Sequence, residues 1–491
     1  MEDAESHPAS PAGASAHAPG LPAAGRTPLL PPGPLSAWWG LPLLRAMRRD
    51  YLGFVAQLQR DHGDLTFMRL GRERVYDVFA PEFVRAVLVD HADGLIRWER
   101  GIEVFEQVFG QSVLVTEGET WKRQRRMLQG GFTPRRVAGY ATLMANAAAA
   151  GLDDAVEPGR REALVDMDAL FTRVTMDVIL RTLFSRPAPR DAGDAAAAVQ
   201  VLSQAAMREM FWPFTLPDWL PLPGKAAKRQ ALRMLRQLVG RHIEARRNEA
   251  GESAHDDLLG MLLGLRDEET GSALSPSEVF DQCMVSFQAG HETTATALLW
   301  LFRLLAEHPE AARRARLEVD AALAGRQPGA ADPPALPWLT ATLKEAMRLY
   351  PPVPALMSRR AIRDLPVGRY LVPRGAMIRI TPWVIQRDPR LFDQPDAFRP
   401  ERFLPDAPAP ARGAWLPFGT GPRVCLGQHF ALLEMTLIAA LLIQRYEWAL
   451  PCGAPQADPV LNVTLRPRGG VSLLLRRRAA PASEAAGSAN H

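Results

Sequence analysis

The amino-acid sequence predicts a mainly helical α+β fold, a helical domain carrying small β-sheets. Long stretches repeat apolar residues at helical spacing, strand-like runs are short and scattered between them, and one late segment is apolar on most sides. In chain order, residues 1–34 are rich in Pro, Ala and Gly and are expected to lie disordered or extended. Helical periodicity follows at 44–61, 138–150, 163–184, 227–249 and 276–307. The run ALLEMTLIAALLI predicts a buried helix over 428–446. Strand-like runs sit at Leu65–Arg69, Val75–Phe79, Met377–Ile380 and Val471–Leu475. Residues 479–491 read as a second disordered tail, so one ordered domain is expected over 35–478.

Composition narrows the function. Hydrophobic residues are 47 % and charged residues 23 %, an ordinary globular balance. A formal net charge of +4 is too small on 491 residues to argue for nucleic acid. Three cysteines, Cys283, Cys425 and Cys452, do not make a disulfide framework and point to a reducing compartment. No stretch reaches the roughly 20 apolar residues that span a membrane, and the start lacks the basic and apolar regions of a secretory signal. A cytoplasmic protein without a membrane anchor is expected.

The segment Phe418-Gly-Thr-Gly-Pro-Arg-Val-Cys425-Leu-Gly427 carries the chemistry. Two glycines and a proline permit a tight turn ahead of Cys425, and the apolar helix begins just after it. A cysteine at a helix N-terminus has free N–H groups and the helix dipole to stabilise its thiolate. Phe418 can exclude water from the sulfur, and Arg423 can reach a carboxylate. The plainer alternative is an inert buried cysteine in a glycine-rich turn. A second segment, Ala289-Gly-His-Glu-Thr-Thr294, lies inside the 276–307 helix. Gly290 and the threonines are expected to bend the helix locally. Glu292 and Thr293 form an acid–hydroxyl pair suited to moving protons.

Both segments resemble the signature motifs of the cytochrome P-450 superfamily, and every fixed position of each motif is matched. The resemblance covers roughly residues 35–478. It implies the cytochrome P-450 fold, haem b bound through Cys425 as the axial thiolate and metal ligand, and oxygen activation by Glu292 and Thr293. His291 occupies the motif's variable position and reads as a packed or solvated side chain.

Further resemblances place the remaining site residues. Glu345 and Arg348, three apart on one helix face, match the family's Glu-any-any-Arg pair. With Arg402 of Pro-Glu-Arg-Phe they form the implied structural triad, and Gln386 stands where the family carries His. Trp121 and Arg125, one helical turn apart, are implied haem-propionate ligands; a solvated basic face is the alternative. Arg359 or Arg360 is another, with Arg359 favoured. Lys122, Arg123 and Arg126 are expected to project outward as a basic patch for an acidic redox partner. An apolar pocket is expected from the 99–115 segment, Phe287, Ala289, Val353, Leu356 and Val463, each of which can equally be core.

The implied enzyme is a monomeric haem-thiolate monooxygenase inserting one atom of O2 into a hydrophobic secondary metabolite or fatty-acyl chain. Its electrons would come from NAD(P)H through a ferredoxin or flavodoxin and a reductase. A reductant-independent haem-thiolate isomerase or dehydratase, and a non-catalytic haem sensor, are the rival readings; Glu292–Thr293 argues against the first.

Overall fold

A computed structural model describes residues 29–157, 159–187, 192–212, 216–220, 222–248 and 257–478. Residues 1–28 and 479–491 lie outside it; residues 29–34 run along the first sheet, where Pro32 O accepts from Phe67 N at 2.9 Å.

The first helical stretch is two helices, α1 (Leu41–Arg49) and α2 (Tyr51–His62). Asp50 between them is extended, and its carboxylate caps α2 by accepting from Gly53 N at 2.9 Å. The other helices that shape the site are α3 (Gly118–Gln129), α4 (Ala141–Asp153), α5 (Met167–Phe184), α6 (Ala192–Met210), α7 (Lys225–Asn248), α8 (Pro276–Glu307), α9 (Pro337–Leu349) and α10 (Gln428–Arg445). The α8 helix spans the range its periodicity predicts. Ser275 Oγ accepts from Glu278 N, the Glu278 carboxylate accepts from Ser275 N, and Pro276 occupies the first turn.

Besides a two-stranded hairpin of Leu365–Val367 and Tyr370–Val372, the strands among the described residues are β1 (Leu65–Leu70), β2 (Glu73–Val78), β3 (Leu95–Arg97), β4 (Glu162–Asp166), β5 (Arg359–Ala361), β6 (Met377–Ile380), β7 (Tyr446–Ala449), β8 (Pro459–Leu461), β9 (Leu465–Pro467) and β10 (Ser472–Arg477). The helix expected from residue 163 thus starts later. Residues 162–166 alternate in burial and pair with β10, and Asp166 then caps α5. A five-stranded sheet has the order β1-β2-β6-β5-β3. Within it β2 and β6 are parallel, and buried Arg379 pairs with Asp77 across them at 2.7 and 2.8 Å. Strand β3 runs antiparallel to β5 with Arg97 opposite Arg359.

One apolar core joins α5, α8, α9, α10 and β10, and a second lies among α4 to α8. The central strut is α8, which contributes to both. The helix runs unbroken through Gly290, where a Cβ would lie 2.7 Å from Ile179 Cδ1 of α5, so glycine permits close helix–helix contact.

Candidate active site

Cys425 lies two residues before Gly427, the N-cap of α10. The preceding turn is shaped by Gly419 (φ 71°) and Gly421 (φ 77°), and a Cβ on Gly421 would collide with Leu88 O at 2.0 Å. Cys425 N donates to Phe418 O at 3.0 Å. The Phe418 ring meets Trp415 at 6.3 Å between centroids. Burial pushes the thiol up, whereas the Gly427 amide and the Arg125 charge pull it down. Yet the residue keeps accessible surface. A desolvated side chain that keeps accessible surface is what lining an interior chamber would give.

Four guanidiniums converge on that chamber. Arg97 and Arg359 come from facing positions of β3 and β5, Arg125 from α3, and Arg423 from the cysteine turn. Desolvation lowers Arg359 and Arg423 to about 10, and Arg97 falls well below its ordinary value through burial and repulsion from Arg423, Arg359 and Arg125. Among the described residues Glu117 is the carboxylate that counters this cluster: it accepts from Arg423 Nη2 and from Arg97 N. Arg423 also donates to Thr116 O at 3.0 Å and lies 4.1 Å over the Trp121 indole. Trp121 therefore shelves Arg423. Arg360 turns away to Glu73 and Glu99, leaving Arg359 as the arginine of that pair near Arg97. Sequence reading missed Arg97, whose Nε and Nη1 have no partner although buried.

Beneath the cysteine turn, Glu345 and Arg348 are fully buried and joined twice, at 2.7 and 2.8 Å. Arg402 reaches Glu345 at 3.4 Å, and Arg348 also donates to Gln386 O, Pro395 O and Ala397 O. Gln386, in place of the family's His, donates to Met347 O and Arg348 O and accepts from Leu416 N at 2.6 Å. Its amide thus ties the end of α9 to the segment entering the cysteine turn.

On α8, Ala289 is exposed and Thr293 half-buried, one turn apart in the middle of a helix that is mostly buried. Thr293 Oγ1 donates to Ala289 O at 2.9 Å. Glu292 points elsewhere and accepts from Thr464 Oγ1 at 2.9 Å and Ser203 Oγ at 3.1 Å. Burial raises its carboxyl, against the pull of Arg466. Glu292 borders a cavity of about 390 Å³ shared with Asp168, Gln200, Gln204 and Arg466. Ser203, Thr464 and Arg466 were not legible as partners from sequence. His291 is packed: its Nδ1 lies 2.8 Å from Phe287 O, and burial lowers it to about 4.

Of the expected pocket residues, Phe287 is fully buried in the second core, stacked obliquely on His291. Val353, Leu356 and Val463 are half-buried, and Leu356 Cδ2 lies 4.0 Å from the Cβ position of Gly419, placing it beside the cysteine turn. The outward basic patch is largely neutralised within the chain. Lys122 pairs with Glu119, Arg123 with Glu278, and Arg126 with Asp267 and Glu269. Charge reversal at Arg126 would therefore break a tertiary contact as well as any docking surface.

A thiol at a helix N-terminus, facing a chamber rimmed by under-neutralised guanidiniums, defines a protein that seats an anionic prosthetic group against sulfur. A family model described as Cytochrome P450 matches residues 31–474. Cyclooctat-9-en-7-ol 5-monooxygenase of Streptomyces melanosporofaciens is 36 % identical over 82 % of this chain and 86 % of its own. Pentalenene oxygenase of Streptomyces avermitilis is 31 % identical, over 86 % and 92 %. The crystal structure of a cytochrome P450DA heme domain superposes with a TM-score of 0.80 over 93 % of this chain and 99 % of that one, at 24 % identity, a likeness of fold. The chain belongs to the cytochrome P450 family. It is a haem b monooxygenase acting on a hydrophobic substrate. The residues present fit haem, since the orphaned donors of Arg97 and the surplus positive charge around them suit its two carboxylates.

Proposed function

We propose that this enzyme oxidises a cyclic terpenoid at a site built from Cys425, the four-arginine cluster and the Glu292 network. The single observation carrying the site is the convergence of Arg97, Arg125, Arg359 and Arg423 beside the Cys425 turn, with Glu117 and the Cys425 sulfur opposing their charge. The substrate class rests on the relatives named cyclooctat-9-en-7-ol 5-monooxygenase and pentalenene oxygenase, and on half-buried Val353, Leu356 and Val463.

When bound, haem supplies the reductive activation of dioxygen and the oxidation of a C–H or C=C bond. The chain does the rest. Cys425 would hold the haem through its sulfur, whose charge the Gly427 amide tempers. Arg97, Arg125 and Arg359 would bind the propionates, while Arg423, stacked on Trp121 and paired with Glu117, completes the rim. Glu292, with its carboxyl raised, carries a proton nearer neutral pH than an ordinary glutamate and exchanges it with water in the adjoining cavity. Thr293, its own hydrogen given to Ala289 O, keeps lone pairs free to accept one. Glu345, Arg348 and Arg402 are structural. Residues 35–478 act as one unit in a monomeric, cytoplasmic enzyme that draws NAD(P)H electrons through a ferredoxin or flavodoxin and its reductase.

The test is a spin-shift titration with cyclic terpenoids, lipids and polyketides, followed by turnover with surrogate reductase proteins. The reading expects a terpenoid to shift the spin state and yield a product heavier by one oxygen, only with reductant. Cys425→Ser should lose the red-shifted Soret band of the reduced, carbon-monoxide-treated protein. Glu292→Gln should keep that band while lowering product formed per NAD(P)H consumed. Preference for linear acyl chains would overturn the substrate class, and a surviving red-shifted band in Cys425→Ser would overturn the site.

A further inference from the structure

Away from the chamber, large aromatic side chains are bared in two stretches. Trp38 is 80 % and Trp39 72 % exposed just before α1, and Trp212 is 51 % and Trp219 74 % exposed between α6 and α7. The stretches adjoin. The Phe211 ring meets Tyr51 edge-on at 6.5 Å between centroids, and Tyr51 opens α2 directly after α1. Helix α1, about 13 Å long, separates Trp38 and Trp39 from that contact. Trp38 and Trp39 hold positive φ, 52° and 58°, which L-residues rarely adopt. Gly71 N secures this backbone by donating to Trp39 O at 2.7 Å, and both indoles remain outside.

The charge on this face is mostly of one sign. Arg45, Arg48 and Arg49 are exposed on α1, and Arg69 and Arg72 flank the Gly71 turn beneath Trp39. None of these five pairs with a carboxylate among the described residues. Nearby acids are occupied: Asp50 caps α2, and Glu209 and Asp218 hold Lys225 and Lys228. No helix among the described residues is long and apolar enough to cross a membrane.

Protruding indoles interleaved with unpaired arginines suit the headgroup level of an anionic bilayer. We propose that this face docks the enzyme peripherally on an anionic phospholipid membrane. Trp38, Trp39 and Trp219 enter the headgroup boundary, and the α1 arginines meet lipid phosphates. A second copy is a poorer occupant, because a two-fold contact would set the same arginines against one another. A rigid protein partner would need matching pockets for each indole, whereas lipid deforms around them. The proposal is independent of the substrate.

The test mixes the full-length, haem-loaded protein with vesicles of equal parts phosphatidylcholine and phosphatidylglycerol, and with phosphatidylcholine alone. The protein should sediment with the anionic vesicles, release as salt shortens the screening length, and have its tryptophan fluorescence quenched by brominated lipid. Removing one arginine should weaken partitioning roughly fivefold, so R45Q/R48Q/R49Q together should lose on the order of a hundredfold. W38S/W39S should lose most of the quenching. Both variants should keep the red-shifted Soret band, which separates lost docking from lost folding. Three results overturn the proposal: wild-type binding no stronger than to phosphatidylcholine alone, equal binding by wild type and variants, or an arginine-sensitive dimer in gel filtration without vesicle binding.

Discussion

Replacing Arg97 should move two measurable quantities in opposite directions. Its Nε and Nη1 are buried without partners, and three neighbouring guanidiniums repel it. A buried donor left unsatisfied costs about 1–3 kcal/mol. Arg97→Met keeps an apolar stem of similar length and removes the charged head. In the haem-free protein it should therefore raise the unfolding free energy by about 1–3 kcal/mol. With haem bound, the lost group is a charge-assisted donor to a propionate, worth about 1.5–3 kcal/mol. Haem should leave the variant on the order of 10- to 100-fold faster. Urea midpoints of the haem-free protein measure the first effect, and haem transfer to excess apomyoglobin, followed at the Soret band, measures the second. A haem-free variant less stable than the wild type, or an unchanged transfer rate, would refute the assignment of Arg97 as a propionate ligand.

Two further outcomes follow from buried carboxyls. Glu345→Gln leaves Arg348 buried with carbonyl partners but no counter-ion, and should cost about 3–5 kcal/mol, read as a lower urea midpoint at unchanged slope. Glu434 of α10 is fully buried, its Oε1 unpartnered and its Oε2 accepting from Thr294 at 3.3 Å, and burial holds its carboxyl well above the usual range. Between the ordinary and the raised value the folded chain binds more protons than the unfolded chain, so this group's contribution to stability falls as pH rises. Urea midpoints from about pH 5 to pH 8 should decline more steeply for the wild type than for Glu434→Gln; parallel curves would mean the carboxyl is already ionised.

Features written in contiguous residues were legible. The cysteine turn, the Glu345–Arg348 spacing and the whole of α8 could be read because each is local and repeats or caps itself. What escaped depends on which distant residue arrives opposite. Arg97 sits in a three-residue strand with no periodicity, and its meaning comes from standing opposite Arg359 across β3 and β5. Lys122, Arg123 and Arg126 read as a basic patch, but Glu278, Asp267 and Glu269 arrive from more than 140 residues away to pair with the two arginines. Phe287 and Ala289 lie two residues apart, and periodicity alone does not say which side of a nearly all-buried helix faces the chamber. The single helix expected over 44–61 failed at Asp50, where a side-chain cap outcompeted continuation of the helix.

The missing side chain at Gly290 has a consequence for engineering. Ile179 occupies the space a methyl group there would need, so the seating of α8 against α5 depends on an aliphatic residue in neither the acid–hydroxyl pair nor the cysteine turn. The position of the Ala289–Thr294 turn of α8 is thus governed partly from behind. Trimming position 179 would loosen that backing and let α8 settle toward α5, moving Ala289 and Thr293 without substituting either.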